Sequence, residues 1–356
     1  MDEPSKANCD AVKAMAENIR FDEAQSTAFS KAFDTLQGEV FAVRSSSPEE
    51  DLEGTSFAGM YETILGTKRE VVEETIAIAF SSCFDVRVMA YKKQNGLDLQ
   101  KTSIAVIIQK QIASDVSGVG FSLNPLNNCY DEVVVNASFG LGEAIVSGIV
   151  TPDHYVYDSV EKKIVEKKVN KKEIALWLKE DGGIEEKENE EKEKQALSDE
   201  QIVELSNFIK KCETHYGKPM DTEWAYENGK LYLLQSRPIT TYLPFFEELL
   251  TEPGDPKRFY IDLMALTQGF DEPMSVLGME LWSKMLLRLK FDMMSPQANG
   301  TCPAINGREY LNVIAIQKLV GKKNTRKLFS SYDGNIRKIF DAIDLEAHPF
   351  EGKPEG

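Results

Sequence analysis

The stretch Asp221-Thr-Glu-Trp-Ala-Tyr-Glu-Asn-Gly-Lys-Leu-Tyr-Leu-Leu-Gln-Ser-Arg-Pro238 predicts a β-hairpin that carries polar groups on both strands. Glu223 places a carboxylate on the first strand, and Gln235 and Arg237 lie at the end of the second. Carboxylate and amide oxygens suit a Mg²⁺ ion, and the guanidinium fork suits phosphate oxygens. The hairpin is therefore a candidate metal and phosphate site, and an ordinary hairpin with solvated polar side chains is the alternative.

The turn of this hairpin decides whether the polar groups can meet. A two-residue turn at Asn228 and Gly229 would place Glu223 and Gln235 on opposite faces of the hairpin. A three-residue turn beginning at Glu227, with Gly229 in the left-handed conformation, would make them diagonal neighbours on one face. The metal hypothesis therefore requires the three-residue turn.

Composition limits the classes of protein to which the chain can belong. Its 356 residues are enough for two or three domains, and its net charge of −17 argues against nucleic acid or an anionic membrane as the main partner. Its apolar runs are too short for a membrane span, and the N-terminus lacks the features of a signal peptide. The five scattered cysteines include no CxxC pair, which predicts reduced thiols in a cytoplasmic protein.

Hydrophobic periodicity and turn residues predict a mixed α+β chain. Helices are predicted over 10–37, 60–82, 142–148 and 198–216, and strands over 39–44, 86–91, 102–109, 118–122, 132–137, 154–158 and 163–169. The nearly all-apolar strand 102–109 is predicted to be buried on both faces. Residues 178–200, rich in Glu and Lys, predict a solvated insertion or mobile loop. Residues 258–345 are predicted to be mostly helical, with short strands near 259–263 and 310–313.

Two further segments carry candidate binding groups. The loop from Arg44 to Gly59 combines a guanidinium with serine hydroxyls and glycine amides, which suit phosphate, and Thr63 is predicted on the helix that follows. It is not a Walker A loop, and an ordinary serine-rich loop is the alternative. Gln109 ends the apolar strand, where backbone groups would be able to pair with an adenine edge. A strand-terminal residue that reaches water is the alternative there.

Taken together, these segments resemble the nucleotide-binding domain of the superfamily of phosphoenolpyruvate synthase, pyruvate phosphate dikinase and rifampin phosphotransferase. The matching stretches include Ala42-Val-Arg-Ser-Ser-Ser47, Ser117-Gly-Val-Gly-Phe-Ser-Leu-Asn-Pro125, Asn136-Ala-Ser-Phe-Gly-Leu-Gly-Glu-Ala-Ile-Val-Ser-Gly148 and Leu234-Gln-Ser-Arg-Pro-Ile-Thr240. They follow the family's order and cover residues 38–241. The segment after residue 242 looks most like the rifampin phosphotransferase branch.

The resemblance implies an ATP-grasp nucleotide-binding domain over residues 1–241, with a subdomain division near 85–105, followed by a mostly helical linker segment over 242–356. ATP and Mg²⁺ would lie between two α+β subdomains. The implied site residues are Arg44 at the terminal phosphates, Gly59 and Thr63 near them, Gln109 at the adenine, Glu223 and Gln235 at Mg²⁺, and Arg237 at phosphate. Arg44 and Arg237 would be the catalytic residues because they neutralise phosphate charge.

Two features of the family have no counterpart in the sequence. Family members begin with a longer segment containing a Gly-x-Lys motif whose lysine contacts phosphate, and they carry a phosphohistidine domain with a Ser-His-Ala motif. We therefore expect an internal fragment, a truncated isoform or a degenerate relative, and whether this chain alone is an enzyme stays open.

The leading functional hypothesis is an ATP-binding module of a dikinase-type phosphotransferase. Such a module binds Mg-ATP for phosphoryl transfer to a carrier histidine on another domain or chain, with AMP and phosphate as products. One alternative is a non-catalytic or degenerate nucleotide-binding scaffold. Another is an ATP-grasp ligase that forms an acyl phosphate, which the dikinase-type motifs disfavour. The final acceptor, whether pyruvate, a rifamycin-like drug or a glucan, stays open.

Overall fold

The computed structural model describes residues 4–48, 61–101, 103–240, 242, 246, 249, 258–262, 273–288 and 304–329. The chain divides into two compact units, Met1–Thr241 and Tyr242–Gly356. In the second unit, strands Tyr260–Asp262, Ala304–Ile305 and Arg308–Asn312 form a three-stranded sheet. The described residues of this unit also form three helices, Val276–Arg288, Val313–Val320 and Lys322–Phe329. Among the residues that the structure describes, every helix is too short or too polar to span a lipid bilayer.

The described residues of the first unit form two antiparallel sheets, sheet A and sheet B, together with one separate hairpin. Its helices are α1 (Lys6–Ala16), α2 (Glu23–Phe33), α3 (Val72–Ser81), α4 (Val86–Gln94), α5 (Glu143–Val146) and α6 (Asp199–Tyr216). Its strands are β1 (Val40–Ser46), β2 (Thr63–Lys68), β3 (Ala105–Lys110), β4 (Val116–Phe121), β5 (Glu132–Phe139), β6 (Asp153–Asp158), β7 (Lys163–Lys168), β8 (Ile174–Leu178), β9 (Ile184–Glu188), β10 (Met220–Glu227) and β11 (Lys230–Pro238). Mixed helices and sheets confirm the α+β class.

Sheet A has the strand order β2-β1-β3, so β1 is central and β3 lies at an edge. Phe41 and Val43 on β1 are fully buried and pack with Val72 and Ile76 of α3. Because successive strand residues point to opposite faces, Arg44 lies on the face away from this core. Thr63 and Ile107 pair with Arg44 in the two ladders and share its face.

Sheet B has the strand order β11-β10-β4-β5-β6-β7, and one face is covered by α6. The fully buried Trp224 packs in this core with Ile202 and Leu205 of the helix. A capping box at Ser198 begins α6, and the left-handed Gly217 ends it, in agreement with the helix predicted over 198–216. Glu223, one residue before Trp224, therefore points to the face of sheet B opposite α6.

Several predicted elements were wrong. Thr63 lies on β2 and not on a helix, because Thr63-Ile-Leu-Gly-Thr-Lys68 pairs with β1 and Gly66 forms a bulge. Residues 86–94 form α4 and not a strand, since Asp85 caps a short apolar run whose periodicity suits either element. Strand β3 is not buried on both faces, and Ile107 is 51% exposed. The Glu- and Lys-rich region contains the ordered strand β9, which forms a hairpin with the preceding β8.

Candidate functional site

The hairpin β10–β11 has a two-residue turn, contrary to the expectation that only a three-residue turn could unite its polar groups. Asn228 and Gly229 both have positive φ, 51° and 76°, and Glu227 pairs with Lys230. A β-bulge at Leu234 adds one residue to β11, so the register shifts beyond it. Glu223 therefore pairs directly with Gln235, and the two side chains share a face.

Arg44 joins sheet A to this pair. Its Nη2 atom donates to Glu223 Oε2 at 2.7 Å and to Gln235 Oε1 at 2.5 Å, across 179 and 191 residues of sequence. The Arg44 and Glu223 side chains are 20% and 26% exposed, so the ion pair is largely shielded from water. The side-chain oxygens of Glu223 and Gln235 in sheet B thus both contact the guanidinium group of Arg44 in sheet A.

Arg237 lies two residues beyond Gln235 and pairs across the ladder with Asp221. Its Nε atom donates to Asp221 Oδ2 at 2.9 Å, and the arginine side chain is 37% exposed. Burial raises the pKa of the Asp221 carboxyl, the Arg237 guanidinium lowers it, and the Glu223 carboxylate raises it. The guanidinium of Arg237 is therefore partly exposed to solvent, and the Asp221 carboxylate restrains its position.

Glu143 is a member of the cluster to which the sequence assigned no role. Burial raises the pKa of its carboxyl, the Glu223 carboxylate raises it further, and the Arg44 guanidinium opposes both effects. Glu143 begins α5 after the left-handed Gly140. Its signal in the sequence is an acid in the first turn of a helix, which is common because it complements the helix dipole.

The remaining predicted residues have different positions. Gln109 donates from Nε2 to the carbonyl oxygen of the bulged Leu234 at 3.1 Å, so it is a second link between the sheets. Thr63, on β2, pairs across the ladder with Arg44 of β1. Gly59 lies outside the described residues.

The site combines carboxylates Glu143, Asp221 and Glu223 with the guanidinium groups of Arg44 and Arg237. Because the carboxylates and the amide oxygen of Gln235 are hard oxygen donors, the cluster suits a hard divalent cation. Its two arginines suit phosphate oxygens. Within the described residues no group of three or more His, Cys, Asp or Glu side chains is arranged to hold a metal by itself.

Comparison with known proteins gives the relatives of this chain. The family model for the pyruvate phosphate dikinase AMP/ATP-binding domain matches residues 3–245. A probable phosphoenolpyruvate synthase of Methanocaldococcus jannaschii is 45% identical over 56% of this chain and 17% of the relative. The phosphoenolpyruvate synthase of Pyrococcus furiosus is 39% identical over 66% of this chain and 31% of the relative.

A rifampicin phosphotransferase of Bacillus cereus is 39% identical over 58% of this chain and 24% of the relative. The chain thus spans less than a third of the length of each of these relatives. The predicted superfamily is confirmed, and its rifampicin phosphotransferase branch is among the similar proteins. The chain belongs to the pyruvate phosphate dikinase AMP/ATP-binding domain family, which its residues 3–245 match.

Proposed function

We propose that the first unit binds Mg-ATP between sheets A and B in the manner of an ATP-grasp domain and presents it for phosphoryl transfer to a carrier histidine. The carrier would belong to another domain or chain, and AMP and phosphate would be the products. The observation that supports this most strongly is the convergence of Arg44 from sheet A with Glu223 and Gln235 from sheet B, at 2.7 and 2.5 Å. Residues so distant in sequence meet here at one polar junction.

The residues present fit a magnesium ion. Glu223 Oε2 and Gln235 Oε1 both lie within hydrogen-bonding distance of Arg44 Nη2, so the two oxygens are close together. Carboxylate and amide oxygens are ligands that suit Mg²⁺. Glu223 and Gln235 would hold the ion, which supplies charge neutralisation to the phosphate oxygens when it is bound. Burial, and after it the Glu223 carboxylate, raise the pKa of the Glu143 carboxyl, and the Arg44 guanidinium opposes both effects.

Arg44 and Arg237 have the charge and position to hold phosphate. Positioning and charge neutralisation are the main contributions of a protein to phosphoryl transfer, and fixed guanidinium groups supply both. Asp221 and Glu223 restrain the two guanidinium groups before nucleotide arrives. Thr63 pairs with Arg44 across the ladder and shares its face, so we propose that it lies near the same phosphates.

The adenine is proposed to lie along β3. This strand pairs with β1 on one side and forms the edge of sheet A, so its outer backbone groups are suited to hydrogen bonds with the base. Ile107, half exposed on the face that carries Arg44, offers apolar contact to the ring. Gln109 would keep the strand in place through its bond to the Leu234 carbonyl.

Calorimetry of the full chain with ATP, in the presence and absence of Mg²⁺, tests the proposal. We expect metal-dependent binding that is lost in Glu223→Ala and kept in Glu166→Ala, which removes an exposed carboxylate from the same sheet. Equal Mg-ATP affinity of Glu223→Ala and wild type would refute the assigned metal role. Incubation with a histidine carrier domain of a relative then separates the functions. AMP release supports transfer, and binding without AMP release supports the non-catalytic alternative.

A further inference from the structure

The hairpin β8–β9 makes contacts that a solvated insertion would not need. Its strands pair from Ile174 with Glu188 to Leu178 with Ile184, and Gly182 and Gly183 form its tip with positive φ. Although β9 is rich in exposed charge, the hairpin contributes Leu176 to a buried cluster and is attached to the rest of the unit at three places.

The base of the hairpin is fixed to sheet B through Asp153, the first residue of β6. Its carboxylate accepts from Lys172 Nζ at 2.6 Å and from the amide of Asn170 at 2.9 Å, just before β8. It also accepts from the amide of Ala196 at 2.8 Å, after β9. The Lys172 and Asp153 side chains are both 0% exposed, so both ends of the hairpin are held at one buried point.

The middle of the hairpin is fixed to the loop that carries Glu143. Leu176 forms a parallel bridge with Gly140, and the amide of Leu141 donates to the Leu176 carbonyl at 2.8 Å. A Cβ atom on Gly140 would lie 2.2 Å from that carbonyl oxygen. The contact therefore sets the position of the backbone that leads into α5.

The tip of the hairpin is fixed to sheet A. The amide of Gly183 donates to the Gly66 carbonyl at 2.8 Å, and Gly66 lies in the bulge of β2 with φ of 73°. A Cβ atom on Gly66 would lie 2.5 Å from the carbonyl oxygen of Gly183. Leu65 of β2 and Leu178 and Ile184 of the hairpin all pack against the same buried cluster, which contains Leu141, Ala144, Val150 and Leu176.

We infer that the hairpin β8–β9 is a strut that sets the distance between sheets A and B, and that Gly66 is a positioning residue for the nucleotide site. The inference rests on the proposed function. Thr63, which pairs with Arg44, is three residues from Gly66, or roughly 10 Å along β2. If the hairpin tip is displaced, β2 shifts with it, and the Thr63–Arg44 pair moves relative to Glu223. The substitution at Gly66 itself alters no group that is proposed to contact nucleotide.

Three glycine-to-alanine variants of the full chain form a graded test. Gly66→Ala introduces the 2.5 Å clash with the tip, and Gly182→Ala introduces milder contacts of 3.2 Å to Lys68 and 3.3 Å to Gly66. Gly96→Ala is the control, since it has a matched φ of 70° and its Cβ meets nothing within 4 Å. All three place alanine at positive φ, and Gly66 and Gly96 are closely matched in this strain at 73° and 70°, whereas Gly182 has a φ of 96°.

The readouts are Mg-ATP affinity by calorimetry and amide exchange without nucleotide. We expect affinity to fall about tenfold in Gly66→Ala and about threefold in Gly182→Ala, and to stay at the wild-type value in Gly96→Ala. Affinity per folded molecule does not change when a variant is merely less stable, so this readout separates positioning from stability. If Gly66→Ala does not fold, Gly182→Ala against Gly96→Ala decides the question.

Amide exchange distinguishes failure of the strut from failure of the proposed function. We expect faster exchange over 63–68 and 140–143 in Gly66→Ala, with or without nucleotide binding by the wild type. Absence of Mg-ATP binding by the wild type would refute the proposed function and leave the exchange result to judge the strut. Wild-type affinity and wild-type exchange in folded Gly66→Ala would overturn the strut.

Discussion

Arg44→Met removes the cation that pairs with Glu223 and lowers the pKa of Glu143, and it keeps an apolar stem of similar length. In the wild type, the guanidinium donates to Glu223 Oε2 at 2.7 Å and lowers the pKa of Glu143. Its loss removes the charge that opposes the effect of Glu223 on Glu143, and it leaves Gln235 without this donor. The variant therefore tests whether the junction of the two sheets depends on one guanidinium.

The expected cost follows from the burial of the pair. A hydrogen bond to a charged group contributes about 1.5–3 kcal/mol, whereas a fully exposed ion pair contributes under about 1 kcal/mol. With Arg44 and Glu223 at 20% and 26% exposure, the pair lies nearer the buried case, although solvent screening still reduces it. We expect a loss of about 2 kcal/mol in the free energy of unfolding at pH 7.

The pH dependence has a definite sign. Without Arg44, the pKa of Glu143 in the folded state rises further above its ordinary value of 4.5. A carboxyl whose folded pKa is raised favours the folded state only while it is protonated, so its cost grows as pH rises above 4.5 through the folded pKa. The deficit of Arg44→Met is therefore largest at neutral pH and shrinks as pH falls toward 4.5.

Urea unfolding followed by tryptophan fluorescence measures this deficit. A Trp282→Phe background leaves Trp177 and Trp224, both in the first unit, as reporters. A double-mutant cycle with Glu223→Gln, which keeps an acceptor oxygen and removes the charge, should give a coupling of about 1 kcal/mol at pH 7. A coupling below about 0.3 kcal/mol, or a deficit that does not change with pH, would refute the reasoning.

Three further perturbations have definite expected results. Glu143→Gln should raise the free energy of unfolding at pH 7, because it removes a carboxylate disfavoured by burial, and urea titrations should show the gain vanish below pH 4.5. Lys172→Met should cost about 3–5 kcal/mol, because it leaves the fully buried carboxylate of Asp153 without its cation, and a smaller loss in urea unfolding would contradict this. Gln109→Leu should cost about 1 kcal/mol by the same measurement, since it removes the donor to the Leu234 carbonyl, and an unchanged midpoint would argue against that link.

The sequence predicted the hairpin β10–β11 and the polar groups that it carries, because Asn-Gly turns and alternating apolar residues are strong local signals. It left two turns open and tied the metal hypothesis to the three-residue one, which is not the turn that forms, because a bulge changes register without a signature in residue type. Leu234 is an ordinary strand residue, yet its insertion brings Glu223 opposite Gln235. The two-residue turn and the shared face are compatible only through this bulge.

Long-range contacts account for the other differences. Glu143 joins the cluster because Gly140 and Leu141 contact Leu176, and a pairing between such distant segments has no local pattern. The charge of β9 describes its solvent-exposed side, whereas the role inferred for the hairpin depends on the backbone of Gly183. The residue types of the candidate site could therefore be picked out from the sequence. The backbone contacts that bring those residues together could not be predicted from it.

The most direct test of the account is an amide-exchange footprint of Mg-ATP on the full chain. We predict slower exchange in peptides of β1 and of β10–β11 together, since the nucleotide would hold Arg44 and Glu223 from two sheets at once. The same peptides should be unchanged by ATP in Glu223→Ala. Binding of Mg-ATP with protection confined to one sheet, or located away from both strand groups, would contradict a nucleotide site at this junction.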